Sequence, residues 1–177
     1  MNATHEKLIV LTGASGSGKT SILKELKSST AVGDVVFLHF DSIGVPDRDV
    51  MITEFGSVEQ WQKSKTLEWM QQIKKNYISD STVIFEGQMR ISFVKEALKA
   101  TGLEAQIILI DCNDEIRYSR LQERGQPELA NQTMMNWANH LRNEALQNKL
   151  FILDTGSFSL EQSTSRLLTH IVNHEAI

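Results

Sequence analysis

The run "GASGSGKT", Gly13 to Thr20, stands between the apolar stretch "LIVL" and the helix-like "SILKELK". It fits the pattern G-x-x-x-x-G-K-[ST] at Gly13, Gly18, Lys19 and Thr20, with Gly16 adding freedom in the middle. This run constrains the fold more than any other, because a strand has to deliver such a loop and a helix has to leave it. Glycines let the backbone turn successive N–H groups inward onto phosphate oxygens. A helix beginning near Gly18 adds the positive end of its dipole. Ala14, Ser15, Ser17 and Ser21 complete the cradle by position. Lys19 supplies a mobile charge for the β- and γ-phosphates of a nucleoside triphosphate, and the Thr20 hydroxyl suits magnesium.

Five apolar runs recur between helix-like stretches: "KLIVLT" (7–12), "DVVFLHF" (34–40), "STVIFE" (81–86), "AQIILID" (105–111) and "KLFILD" (149–154). Near-continuous apolar strands of this length are expected to be buried on both faces, as in a parallel sheet with helical crossovers. Acids stand at or just past four of the run ends: Asp41, Glu86, Asp111 and Asp154. The carboxyl ends of parallel strands border the ligand crevice, so these acids are placed where chemistry would be. Helical spacing joins Trp69, Met70, Ile73 and Tyr77, and again Met134, Trp137, Leu141 and Ala145. "SLEQ" (159–162) is a capping box, after which Leu160, Leu167, Leu168 and Ile171 are expected to form the buried side of a last helix. Residues 42–60, with Gly44, Pro46, Gly56 and no sustained period, read as a loop-rich insertion. Gly125 and Pro127 interrupt two helices at 124–133, and this second irregular stretch reads as a binding loop or lid.

At 177 residues the chain fits one domain spanning 1–177. A formal charge of −4 without a basic run speaks against broad nucleic-acid binding. The single cysteine, Cys112, makes no internal disulfide, and the N-terminal stretch has no secretory pattern. Apolar runs this short do not cross a bilayer. The expected setting is cytoplasmic, with no nucleic-acid or membrane partner.

The loop at Gly13–Thr20, together with "DEIRYSRLQERGQPE" from Asp114 and "FEGQMR" at 85–90, resembles the P-loop small-molecule kinases, a group that includes adenylate, shikimate and gluconate kinases. The resemblance implies an α/β P-loop NTPase fold with a five-stranded, mostly parallel sheet in the order 2-3-1-4-5. It also implies an acceptor-binding insertion about 42–80 and a short lid about 120–140. The implied reaction is transfer of the γ-phosphate of ATP, with Mg2+, to a small-molecule acceptor. By the same resemblance Arg120 and Arg124, four residues apart with Arg117 on the same face, would reach the transferring phosphoryl group. Glu86, Gly87 and Arg90 match an acid-glycine-arginine pattern in which the arginine holds an acceptor phosphate and the acid lies beside the metal; Met89 stands where that pattern has proline. Asp41 stands where a branch of the group contacts an acceptor hydroxyl or the metal. Arg142 is a candidate for a further acceptor contact, and the nucleotide base would sit near Thr155 to Ser157. Arg90 favours a phosphorylated acceptor and Asp41 a hydroxyl one, and both readings stand at this point. A regulatory ATPase or hydrolase uses the same phosphate loop; the arginine stripe beside a lid break favours transfer, which needs water excluded and charge stabilised. "DSIG" at 41–44 fits a GTPase fragment, but no N-K-x-D segment accompanies it.

Overall fold

β1 (Leu8–Thr12) is buried along its whole length and forms the centre of a five-stranded sheet, seen in a computed structural model that describes residues 8–29 and 35–174. The sheet order is β2 (Val35–His39), β3 (Thr82–Gly87), β1, β4 (Gln106–Asp111), β5 (Phe151–Asp154), as the resemblance implied, and all four pairings are parallel. Strand ends agree with the apolar runs to within two residues where they are described; Lys7 and Asp34 lie outside the described residues.

Side chains of β1 alternate between two cores, as a pleated strand requires. Leu8 and Val10 join Phe85, Trp69, Met70 and Ile73 under α3 (Val58–Asn76) and α4 (Ile91–Thr101). Ile9 and Leu11 face the other way, onto Ile22, Leu23 and Leu26 of α1 (Lys19–Ser28) and Leu167 of α7 (Leu160–His174). A smaller cluster seats Leu141 and Ala145 of α6 (Gln132–Gln147) on Leu109.

Helix starts follow local chemistry. Ser57, Asn113 and Asn131 each accept a backbone N–H three residues on, opening α3, α5 (Asp114–Glu123) and α6. The predicted box is present: Gln162 N donates to Ser159 Oγ at 3.2 Å, and Ser159 N donates to Gln162 Oε1 at 3.0 Å.

Two expectations are corrected. Residues 42–60 are mainly helical: a 3-10 turn at Phe40–Ile43 leads through a short loop to α2 (Arg48–Phe55), and α3 begins at Val58. Gly56, at φ 86°, ends α2 in the left-handed conformation and Ser57 at once caps α3, so the punctuation marks a helix junction instead of a loop. Val50 and Ile52 face solvent and Met51 alone is buried on α2, which erases the apolar period. Leu160 does not join the buried side of α7; it is 43% exposed at the helix start. The break between α5 and α6 is confined to 124–131, with a 3-10 turn at Pro127–Leu129.

Every loop that follows a strand opens at the same edge of the sheet. That edge carries the phosphate loop at the point where strand order reverses about β1, which is where open α/β sheets bind ligands.

Phe85→Ala is expected to cost about 3–5 kcal/mol, since it empties a fully buried ring site, whereas Leu160→Ala should stay within about 0.5 kcal/mol. Urea unfolding of the two variants checks both; equal losses would contradict the placement of Leu160.

Candidate active site

The phosphate loop is built from close backbone approaches. A Cβ on Gly13 would lie 2.2 Å from the Ile110 carbonyl oxygen, so only glycine lets β1 and β4 meet at the loop's entry. Gly18 caps α1 at φ 95°, a left-handed conformation that turns the chain into the helix. Inside the curve lies Lys19, 9% exposed, whose ammonium donates to the carbonyls of Gly13 at 2.6 Å and Ala14 at 3.2 Å. Burial lowers its pKa to about 8, against the opposing charge of Glu86.

A buried arginine braces this loop from beneath. Arg117, on α5, has no exposed surface; it donates to the Ser15 carbonyl at 2.9 Å, the Cys112 carbonyl at 3.1 Å and Asp111 Oδ1 at 2.6 Å. Among the described residues its Nε has no hydrogen-bond partner. Asp111 Oδ2 accepts from Arg142 Nε at 2.6 Å, so one carboxylate ties the loop's brace to α6. From the β5 side the Thr155 hydroxyl donates to the Ser17 carbonyl at 2.7 Å. From the β3 side Ser15 N donates to Gln88 Oε1 at 3.2 Å, and Gln88 Nε2 donates to Ser15 Oγ at 3.1 Å.

A polar cavity of about 200 Å3 opens on the loop. Ser15, Gly16, Ser17, Gly18, Lys19, Thr20 and Ser21 line it from α1's side, Asp41 from the 3-10 turn after β2, Glu86 and Gln88 from β3's end, and Arg124 from the end of α5. Asp41 is exposed at the cavity wall; its pKa is raised by partial desolvation there and by the neighbouring Glu86 carboxylate. Glu86 Oε1 lies 2.7 Å from His39 Nδ1. A second cavity of about 400 Å3 shares Gly16, Gly18, Ser21 and Arg124 with the first and extends to Thr155, Phe158 and Leu160.

The structure thus brings Lys19, Thr20, Asp41, Glu86 and Arg124 to one cavity and leaves three other candidates outside it. Arg120 lines the second cavity, with both terminal nitrogens on Thr155 at 2.8 Å. Arg90 sits between helices, 2.8 Å from His140 Nε2 and 3.4 Å from Glu59, with Trp137 and Phe93 against its guanidinium. Arg142 is committed to Asp111 and the Cys112 carbonyl beside a separate cavity. Sequence spacing put all three on the right elements but gave no sign of these partners. Gln88 was missed; its only local signal was its place one residue past Gly87.

The donors present fit a magnesium ion carried by phosphates. Thr20, Asp41 and Glu86 offer hard oxygen atoms at one cavity, and among the described residues no group of three or more His, Cys, Asp or Glu forms a metal cage.

A family model described as an AAA domain matches residues 9–154, a span that holds the loop, both acids and all the arginines above. The chain belongs to the AAA-domain family. Among solved structures this AAA-domain chain is similar to the tunicamycin resistance protein of Deinococcus radiodurans, with a TM-score of 0.66 and 18% identity over 93% of this chain and 94% of that one. The gluconokinase of Sinorhizobium meliloti gives 0.64 and 15%, over 97% and 95% of the two chains. The shikimate kinase of Acinetobacter baumannii, solved with shikimate, gives 0.61 and 14%, over 94% and 93%. The fold is that of the P-loop small-molecule kinases. Comparison with curated protein sequences finds no match.

Two outcomes are expected of the AAA-domain site. A nucleoside triphosphate such as ATP seated on this loop would favour the charged form of Lys19, so its binding at pH 8.5 should take up a proton and its affinity should decline from pH 7 to pH 9. Calorimetry in two buffers of different ionisation enthalpy reads the uptake; buffer-independent heats would contradict it. Arg117→Met should cost about 3–5 kcal/mol in denaturant unfolding, because it leaves Asp111 buried with one cation and the loop unbraced.

Proposed function

We propose that the protein is a kinase that moves the γ-phosphate of ATP to the hydroxyl of a small-molecule acceptor. The observation that carries this reading is the convergence of Lys19, Asp41, Glu86 and Arg124, from four different elements, on one cavity at the phosphate loop. Two cations and two carboxylates there match what phosphoryl transfer asks of a protein, which is positioning and charge stabilisation.

The larger cavity suits the base and ribose, between Thr155, Phe158 and Leu160, and the smaller suits the triphosphate end. Magnesium, held by Thr20, Asp41 or Glu86 together with phosphate oxygens, would neutralise charge between the β- and γ-phosphates. Lys19 leaves the carbonyls of Gly13 and Ala14 for phosphate oxygens of stronger charge. Asp41 accepts a hydrogen bond from the acceptor hydroxyl and takes its proton as the new oxygen–phosphorus bond forms and the bond to the ADP oxygen breaks. A carboxylate with a raised pKa is better suited to hold that proton. Arg124, exposed and adjoining both cavities at the start of the 124–131 break, covers the moving phosphoryl group when this lid closes.

The acceptor is assigned to the hydroxyl class because Asp41 lines the phosphate cavity while Arg90, the candidate clamp for a phosphorylated acceptor, is engaged elsewhere. The segment 42–80, mainly α2 and α3, forms the acceptor side. No helix among the described residues is long and apolar enough to cross a membrane.

Arg124→Ala is expected to lower kcat by about a hundredfold with ATP affinity nearly unchanged, since its contact forms with the closing lid. Lys19→Ala should lose both binding and turnover. Parallel losses of kcat and ATP affinity in Arg124→Ala would reduce that residue to ground-state binding; near-normal turnover in Lys19→Ala would overturn the reading.

A further inference from the structure

Among the described residues, Glu86 is the acid of the phosphate cavity that has a side-chain partner behind it. His39 and Glu86 are register neighbours at the ends of the adjacent parallel strands β2 and β3, so their side chains leave the sheet on the same face. His39 Nδ1 lies 2.7 Å from Glu86 Oε1. The other ring nitrogen, Nε2, lies 3.1 Å from Nζ of Lys27, near the end of α1. Lys27 is placed in turn by the Phe37 ring, 5.0 Å below its ammonium.

The two partners of the imidazole select the same tautomer. An ammonium only donates, so Nε2 has to accept and carries no proton. A carboxylate only accepts, so Nδ1 has to carry the proton and donate it. Without such a partner a glutamate at a cavity wall would sample several rotamers, and fixing it would cost entropy in every turnover. With Oε1 held by His39, the remaining oxygen is the one free to face Lys19, Asp41 and the phosphates. The His39 side chain is 43% exposed and does not line the cavity, whereas the Glu86 side chain is 16% exposed and does.

We propose that His39 is a positioning residue for Glu86 and that Lys27 fixes the imidazole tautomer that lets it act as one. The geometry stands without any activity; the effect on turnover rests on the kinase reading above.

Two measurements test this separately. Long-range proton–nitrogen spectra of protein labelled with 15N-histidine, with His39 assigned by its loss in His39→Asn, read the tautomer with no substrate present. The expected spectrum has a protonated Nδ1 and an unprotonated Nε2, and both Lys27→Met and Glu86→Ala weaken that preference. The reverse tautomer, or a spectrum that neither substitution alters, overturns the inference. In turnover with Mg-ATP, His39→Ala should lower kcat by about tenfold or more, the size expected when an outer partner of an active-site ligand is lost, with ATP affinity within about twofold. His39→Asn places an amide N–H where Nδ1 stands and should recover most of the rate; His39→Gln, whose amide stands nearer Nε2, should not. Equal rates for the asparagine and glutamine variants would overturn the positioning role. If the parent protein neither binds nor consumes ATP, the kinase reading fails, and the spectra still decide whether His39 holds Glu86.

Discussion

The buried contact between Arg117 and Asp111 holds the rest of the site in place. A cation with no exposed surface is costly to bury, and it is tolerated here because an anion at 2.6 Å and two backbone carbonyls surround it. What that burial secures is the shape of the phosphate loop, since one of those carbonyls belongs to Ser15. The same aspartate reaches Arg142 on α6, so the floor of the loop, the end of β4 and the helix after the break share one carboxylate. The 124–131 segment therefore runs between two helices, α5 and α6, that are anchored at a common point.

Around that anchor the chemistry divides by side of the sheet. β2 and β3 bring Asp41, Glu86 and Gln88 to the loop, and β5 with the start of α7 brings Thr155 and Phe158. Arg124 lines both cavities from the end of α5, which is why the proposed reaction gives it a contact with both donor and acceptor sides. Arg120, four residues earlier, lines only the larger cavity and is held there on Thr155. Two arginines at helical spacing thus meet different partners: Arg120 bonds to Thr155 across the fold, whereas Arg124 is exposed and donates only to Gln126, two residues on, among the described residues.

What could be read from the sequence was what local pattern dictates. The strand, loop and first helix at 8–28 were legible because the loop's chemistry demands that order, and the five strands because burial on both faces leaves continuous apolar runs. Strand order came only from resemblance, since no local signal encodes which strands pair. α2 was hidden because Val50 and Ile52 face solvent and a helix with one buried residue has no period to detect. The role of Arg117 depends on Ser15, 102 positions away, and those of Arg90 and Arg142 on His140 and Asp111. Helical spacing shows which residues share a face but not what that face meets. Glu86 and Asp41 were recoverable because strand ends in a parallel sheet point to the crevice whatever their partners are.

Following ATP by phosphorus NMR tests the central claim most directly. The protein would be incubated with magnesium and, in turn, sugars, hydroxy acids, nucleosides, nucleoside monophosphates and no acceptor. A kinase of the kind described here moves the γ-phosphorus signal to a phosphate monoester with one hydroxyl-bearing class and leaves ATP nearly intact without it. Release of inorganic phosphate at one rate in every sample, the control included, would contradict the account.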